Sequence, residues 1–364
     1  MAKYRIAWLP GDGVGKDVLD AARIVLDALK LDAEYVHGDI GWEFWCREGN
    51  PLPDRTIEML KTTDCALFGA ITSKPQKEAE EELAPELKGK GLQYRSPIVR
   101  LRQLFDLYIN LRPAKAYKGN PLNIKEGIDL VIFRENTEDL YFGVEFHPVP
   151  EEMRKIPGME RVPADAAVSL KVITPKGAER IIRAAFEYAK KKGRKKVTCV
   201  HKANVVRLSD GLFLDTAKRI AEEYPDIEFD HANVDAMCMW LVKNPERYDV
   251  LVAPNLYGDI ISDLASQLVG GLGFASAANI GDNYAVFEPV HGSAPKYAGQ
   301  YKVNPIATIL AVKLMLEYLR EEEKAEKLER AVAEVIEEGK VKTYDMGGEN
   351  TTLEVAEEIA KKVS

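Results

Sequence analysis

Three arginines stand where a guanidinium fork can meet an anion. Arg102 lies in the helix-like part of SPIVRLRQLFDLYINLRPAKAY, Arg112 lies in its strand-like part, and Arg134 closes the apolar run DLVIF. A planar fork binds a carboxylate through two parallel hydrogen bonds, so three of them suit a small acid with two or three carboxylates. Any one of them alone fits a surface ion pair at least as well. Tyr141 and Lys202, the latter right after the apolar run VTCVH, are groups that move protons once a charged site perturbs them, and each is ambiguous by itself. Asp259 and Asp263 in NLYGDIISDL are four residues apart and share one helix face, and Asp235 sits in HANVDAMCMW. Carboxylate oxygens are what a hard divalent cation takes, but acids also favour helix N-termini, and spacing alone leaves both readings open.

These side chains need a scaffold. Short apolar runs (YRIAWLP, DCALFGA, DLVIFRE, VTCVHK, YDVLVAPN) alternate with amphipathic stretches such as KDVLDAARIVLDALK and GAERIIRAAFEYAKK. That alternation predicts an α/β architecture with much parallel sheet. The Pro-containing stretch HPVPEEMRKIPGMERVPAD interrupts it as an arm or flap. No internal repeat or linker separates independent domains, so two lobes around a central cleft are expected. The early turn Pro10-Gly11-Asp12-Gly13-Val14-Gly15-Lys16 invites a dinucleotide reading, but its third glycine is out of register, and a structural turn is expected.

A net charge of −8 argues against nucleic acid as the partner. The basic stretch KKKGRKK reads as a solvated helix end rather than a binding patch. No run of about 18 uncharged apolar residues is present and no signal-peptide pattern opens the chain, so no membrane span and a cytoplasmic location are expected. Cys46, Cys65, Cys199 and Cys238 have no metal-site or disulfide spacing and read as buried free thiols.

Taken in order, LPGDGVG, LRQLFDLYINLRP, FRENTEDLY, VHKANV, NLYGDIISDLASQLVGGLG and NIGDNYAVFEPVHGSAPKYAG resemble the β-decarboxylating dehydrogenases, the family of isocitrate, homoisocitrate and 3-isopropylmalate dehydrogenases. The resemblance runs nearly end to end. It implies a two-lobed isocitrate/isopropylmalate dehydrogenase-like fold with a mixed, largely parallel sheet and no Rossmann domain. A large cofactor-binding lobe is expected over 1–107 and 270–364, and a small lobe with the dimer interface, the flap and the metal aspartates over 108–269. By the same resemblance Arg102, Arg112 and Arg134 hold the malate part of the substrate, and Tyr141 and Lys202 handle protons. Asp235, Asp259 and Asp263 bind Mg2+ or Mn2+, in a homodimer whose sites are shared between subunits.

The resemblance further assigns Thr72, His291, Gly292, Ala294, Asn304 and Asp345 to the dinucleotide. Lys296, Tyr297, Val303 and Tyr344 match the NADP-using members, and a cation beside a phenol suits a 2′-phosphate. Gly348 departs from that pattern, since NADP enzymes often carry an arginine there. The variable part of the acid is read just before Arg102. Ser96 and the cations Arg95 and Arg100 lean toward a tricarboxylate, whereas Ile98 and Val99 lean toward an apolar group. The resulting expectation is NADP-dependent oxidation and decarboxylation of isocitrate to 2-oxoglutarate, with homoisocitrate or 3-isopropylmalate, NAD dependence or mixed specificity as the alternative.

Overall fold

A computed structural model describes residues 2–364 of the chain. The apolar runs become strands β1 (Tyr4–Gly11), β2 (Ala33–His37), β3 (Cys65–Ala70), β4 (Ile109–Lys115), β5 (Asp129–Glu135), β6 (Glu145–Phe146), β7 (Val168–Ser169), β8 (Lys196–His201), β9 (Glu228–Asn233), β10 (Val250–Ala253), β11 (Ser276–Ile280) and β12 (Ala285–Pro289). Between them run α1 (Gly15–Ala28), α2 (Trp42–Glu48), α3 (Asp54–Leu60), α4 (Gln76–Glu81), α5 (Pro97–Leu104), α6 (Pro175–Lys192), α7 (Ser209–Ala221), α8 (Val234–Lys243), α9 (Asn255–Leu268), α10 (Ile306–Tyr318), α11 (Glu322–Glu338) and α12 (Thr352–Val363). None of the described helices is long and apolar enough to cross a membrane.

The chain divides into two compact units. The first combines the residues up to Val131 with Ser262–Ser364, and the second is Ile132–Ile261. The sequence places these joints at 107/108 and 269/270. Strand β4 pairs with β11, Leu111 lying opposite Ala278, which ties residues 109–115 to the first unit.

In the first unit the strand order is β2-β1-β3-β12-β11-β4. The β1–β2, β1–β3 and β3–β12 pairs are parallel, and β11 runs antiparallel to both neighbours. Its centre is α10, whose residues from Ile306 to Val312 are all buried. Such uniform apolarity marks a helix enclosed on every side. In α1, Val18, Leu19, Ala22, Val25 and Leu26 recur at helical spacing and form one buried face.

In the second unit the order is β5-β10-β8-β9, with β8 parallel to both β10 and β9. Helix α6 starts where Thr174 accepts the Gly177 amide and Pro175 presets the first turn, and it stops at left-handed Gly193 (φ 67°). Lys190, Lys191 and Lys192 form its exposed last turn, as expected for a solvated helix end. The excursion His147–Asp165 rises between β6 and β7, an antiparallel pair with Glu145 opposite Ser169, and contains two short 3-10 turns. All four cysteines are free, but only Cys65 and Cys199 are buried. Cys46 and Cys238 are half-buried because each lies on a helix rather than an enclosed strand.

Candidate active site

In the second unit Arg134 is the penultimate residue of β5 and its side chain is only 1% exposed. Nε donates to Asn255 Oδ1 at 2.9 Å and Nη1 to Asp259 Oδ1 at 2.5 Å. The Tyr141 hydroxyl donates to the other oxygen of Asp259 at 2.5 Å, and the guanidinium lies 5.0 Å from the Tyr141 ring centroid. The approach needs Gly258, where a Cβ atom would come within 2.6 Å of Arg134 Cγ. A glycine here lets the arginine stem cross the first turn of α9.

The loop between Arg134 and Tyr141 is held by its own acids. Glu135 accepts the amides of Thr137 and Glu138, and burial pushes its carboxyl above the usual range. Glu138 accepts the Thr174 amide at 2.9 Å, and Asp139 accepts those of Leu140 and Leu256, both at 2.9 Å. The Leu256 contact pins the start of α9, three residues before Asp259.

Lys202 follows β8, and its ammonium meets Asp235 Oδ1 at 2.6 Å. Asp235 opens α8, and the Lys202 hydrogen bond lowers its pKa. Between the two elements, His201 Nε2 and His231 Nδ1 are 3.1 Å apart. His201 Nδ1 accepts the Ala203 amide, so the shared proton rides on Nε2. Burial and the second imidazole lower the His201 pKa.

In the first unit Arg102 is buried on α5, donating to Asn279 Oδ1 at 2.9 Å and Glu288 Oε1 at 3.3 Å. Arg112 of β4 donates to Asn110, to Ser262 Oγ at 2.7 Å and to Asp263 Oδ1 at 3.0 Å. Asp259 and Asp263 share α9, and each accepts from one of the three arginines. Among the described residues no three carboxylate, imidazole or thiol groups gather closely enough to hold a metal ion.

Ile98 is 8% exposed and belongs to the core with Leu101, Leu107 and Tyr284, because α5 begins at Pro97 and turns that face inward. Arg100 points the other way, donating to Asn50 Oδ1 at 2.8 Å and to the Leu52 carbonyl. Ser96 and Val99 are half-buried, and Arg95 is exposed.

The glycine turn is structural, as its register implied. A Cβ at Gly13 (φ 55°) would lie 2.0 Å from the Ser293 carbonyl, and the Val14 amide donates to that same oxygen. Thr72 donates its amide to Asp12, and its hydroxyl lies 2.6 Å from that of Ser293. His291 is half-buried, with Nδ1 3.0 Å from the Gly292 carbonyl and Nε2 buried without a hydrogen-bond partner. Burial depresses its pKa and keeps the ring neutral. Ala294 has φ 36°, Asn304 joins Asp345 at 3.0 Å, and Val303 lends its carbonyl to Thr352. Lys296 lies over Tyr297, 4.7 Å from the ring centroid, and Tyr297 packs 5.9 Å from Tyr344. At Gly348 a Cβ would lie 2.0 Å from the Lys342 carbonyl oxygen, so the glycine is required by the backbone around it.

A buried arginine that shares a carboxylate with a phenol, as Arg134 and Tyr141 share Asp259, is equipment for handling an anionic hydroxy acid. The chain belongs to the isocitrate/isopropylmalate dehydrogenase family, whose model matches residues 5–361. It is 44% identical to the homoisocitrate dehydrogenase of Methanocaldococcus jannaschii, over 98% of this chain and 96% of that one. It is 44% identical to the 3-isopropylmalate dehydrogenase of Archaeoglobus fulgidus, over 98% of both. The solved structure of isocitrate dehydrogenase from Methylococcus capsulatus superposes with a TM-score of 0.87 at 42% identity, covering 99% of each chain. The chain is thus a decarboxylating hydroxy-acid dehydrogenase with the fold its sequence implied, in a family that uses a divalent metal and NAD(P).

Proposed function

We propose that the protein oxidises and decarboxylates homoisocitrate or 3-isopropylmalate in preference to isocitrate, with NADP as the oxidant. The observation behind the substrate order is the environment of α5. Ile98 is sealed in the core and Arg100 is committed to Asn50 and Leu52, which leaves only Ser96, Val99 and the exposed Arg95 for the variable group. That set puts an apolar Val99 beside a serine and an exposed cation, which suits an apolar group, or a carboxylate on an arm long enough to reach Arg95, better than the shorter arm of isocitrate, and such an environment discriminates only modestly between side groups. The homoisocitrate and 3-isopropylmalate relatives support the same order over the isocitrate expectation.

Arg102, Arg112 and Arg134 hold the malate carboxylates. Lys202 takes the hydroxyl proton and Tyr141 returns one to carbon after CO2 leaves, so that each group exchanges protons with a different atom of the acid. The hard oxygens of Asp235, Asp259 and Asp263 fit Mg2+ or Mn2+, which when bound lowers the pKa of the substrate hydroxyl and stabilises negative charge. The neutral His291, its Nε2 an acceptor without a protein partner, fits the exocyclic amine of an adenine. Thr72, Gly292, Ala294, Val303, Asn304 and Asp345 form its surroundings, and Lys296, Tyr297 and Tyr344 cluster as a cation with two phenols suited to a 2′-phosphate.

A homodimer with shared sites is part of this reading. Val205 and Leu208, close after Lys202, and Met239 and Val242, on the helix that Asp235 opens, are more than half exposed. Apolar side chains exposed beside two site residues are what a second copy would cover. Steady-state kcat/KM for the three acids with NAD and with NADP tests the assignment. Isocitrate surpassing both other acids would overturn the substrate order.

A further inference from the structure

We infer that Lys171 is a positioning residue that holds the proton-transferring groups in register, a role that rests on the assignment of Tyr141 and Lys202 above. Lys171 lies two residues past β7, outside every motif that marks the family resemblance. Its side chain is 16% exposed, and its ammonium stands between two carboxylates whose side chains are wholly buried, 2.7 Å from Asp139 Oδ1 and 3.4 Å from Asp210 Oδ1. It also lies 4.5 Å from the ring centroid of Tyr257, whose hydroxyl is kept protonated by burial and by Asp210.

Both carboxylates also accept backbone amides next to site residues. Asp139 accepts the amide of Leu140, which precedes Tyr141, and that of Leu256 in the first turn of the helix bearing Asp259. Asp210 Oδ2 accepts the amide of Lys202 itself at 2.7 Å. The backbone fixes the lysine in place, since the Asp139 amide donates to the Val172 carbonyl at 2.8 Å. One ammonium therefore ties together the segments that carry Tyr141, Asp259 and Lys202.

Stability alone does not account for the arrangement. Buried charges lose hydration that their mutual attraction does not always repay, and apolar side chains of similar size often serve the fold as well. What the triad supplies is a fixed spacing between two elements bearing different proton carriers. Removing the cation leaves two buried like charges that repel, and the amides anchored on them shift. Displacement of reacting groups by about 1 Å costs on the order of a hundredfold in rate.

The test compares Lys171→Met, Lys171→Arg and the double variant Lys171→Met with Asp210→Asn. The double variant removes one positive and one negative charge and keeps an amide oxygen for the Lys202 amide. Each is assayed as the full chain with acid, cofactor and Mg2+, in H2O and in D2O, with urea midpoints measured in parallel. Lys171→Met is expected to lose roughly ten- to a hundredfold in kcat, with both KM values within about twofold and a larger solvent isotope effect, as proton transfer becomes slower than hydride transfer. Lys171→Arg should restore most of kcat. The double variant should recover the parent's urea midpoint while kcat stays at least about tenfold low, and it replaces the single variant in the comparison should that one not fold.

A kcat that follows the folded fraction with an unchanged isotope effect would mean a purely structural lysine and would overturn the proposal. Tyr141→Phe and Lys202→Met in the same assay separate the two levels. Loss of turnover in both, with Lys171→Met unaffected, sinks the positioning role alone. Near-parent turnover in both sinks the underlying reading and the positioning role with it.

Discussion

On the proposed NADP reading Gly348 stands where an arginine would help hold a 2′-phosphate, and the backbone around it opposes putting one there. Any side chain begins with a Cβ atom, which here would lie 2.0 Å from the Lys342 carbonyl oxygen and 2.4 Å from Lys342 Cγ, against 3.4–4 Å for ordinary contact. The carbonyl or residue 348 must move by more than an ångström. That carbonyl accepts the Asn350 amide at 3.1 Å, and the Gly348 amide donates to Thr343 at 2.9 Å. Overpacking of this kind costs about 1–3 kcal/mol. One strained backbone hydrogen bond adds about 0.5–1.5 kcal/mol. Loss of glycine's freedom in the unfolded chain offsets about 0.4–1 kcal/mol. Gly348→Ala should therefore destabilise by roughly 1–3 kcal/mol, read as a lower urea midpoint with an unchanged slope. Gly348→Arg should show the same loss, with a net gain in NADP affinity smaller than the ten- to hundredfold that a free charge-assisted contact gives, on the order of 1.5–3 kcal/mol. An alanine variant within about 0.5 kcal/mol of the parent, inside the range of ordinary surface substitutions, would refute the steric argument.

Three further outcomes are expected. Lys296→Asp with Tyr297→Ile should invert the cofactor preference, because it removes a phosphate contact of about 1.5–3 kcal/mol and places a carboxylate where a free ribose hydroxyl can donate; kcat/KM for NAD and NADP in parent and variant is the measure, and a parent already favouring NAD would count against the NADP reading. Chelator should abolish turnover, with Mg2+ or Mn2+ restoring it, and full activity of chelator-treated enzyme would remove Asp259 and Asp263 from the metal assignment. Arg134→Met should lower stability by about 3–5 kcal/mol, because Asn255 and Asp259 lose a buried charged partner, and acid turnover should fall with it; denaturation and steady-state kinetics on one preparation read both.

Much of the fold could be read from local pattern, because α/β alternation is written in short apolar runs and amphipathic helices. The glycine turn was legible for the same reason, since a broken register is a local fact. The burial of Ile98 was not, because an aliphatic residue before Arg102 looks the same in sequence whether it faces a cleft or the core. Only the start of α5 at Pro97 decides which way it turns. Arg100 shows the same limit, being held by Asn50 and Leu52, fifty and forty-eight residues earlier. Arg102, Arg112 and Arg134 stood out by type and place, but their partners Asn279, Ser262 and Asn255 carry no signal of their own. Lys171 is the extreme case, since a lone lysine in SLKVIT reads as a surface residue and its meaning lies in two distant aspartates.

The way the first unit is assembled bears on the order in which the protein is made. Strand β3 borders β12, more than two hundred residues later, and Thr352, the first residue of the last helix α12, gives its amide to Tyr301 and its hydroxyl to Val303 in the segment proposed for the nucleotide. The second unit is one continuous stretch and has all its strands once residue 261 has left the ribosome. The first unit must wait with unpaired strand edges until its last hundred residues arrive. The waiting edge of β3, buried along its whole length in the finished molecule, is the place where a chaperone has most to protect during synthesis.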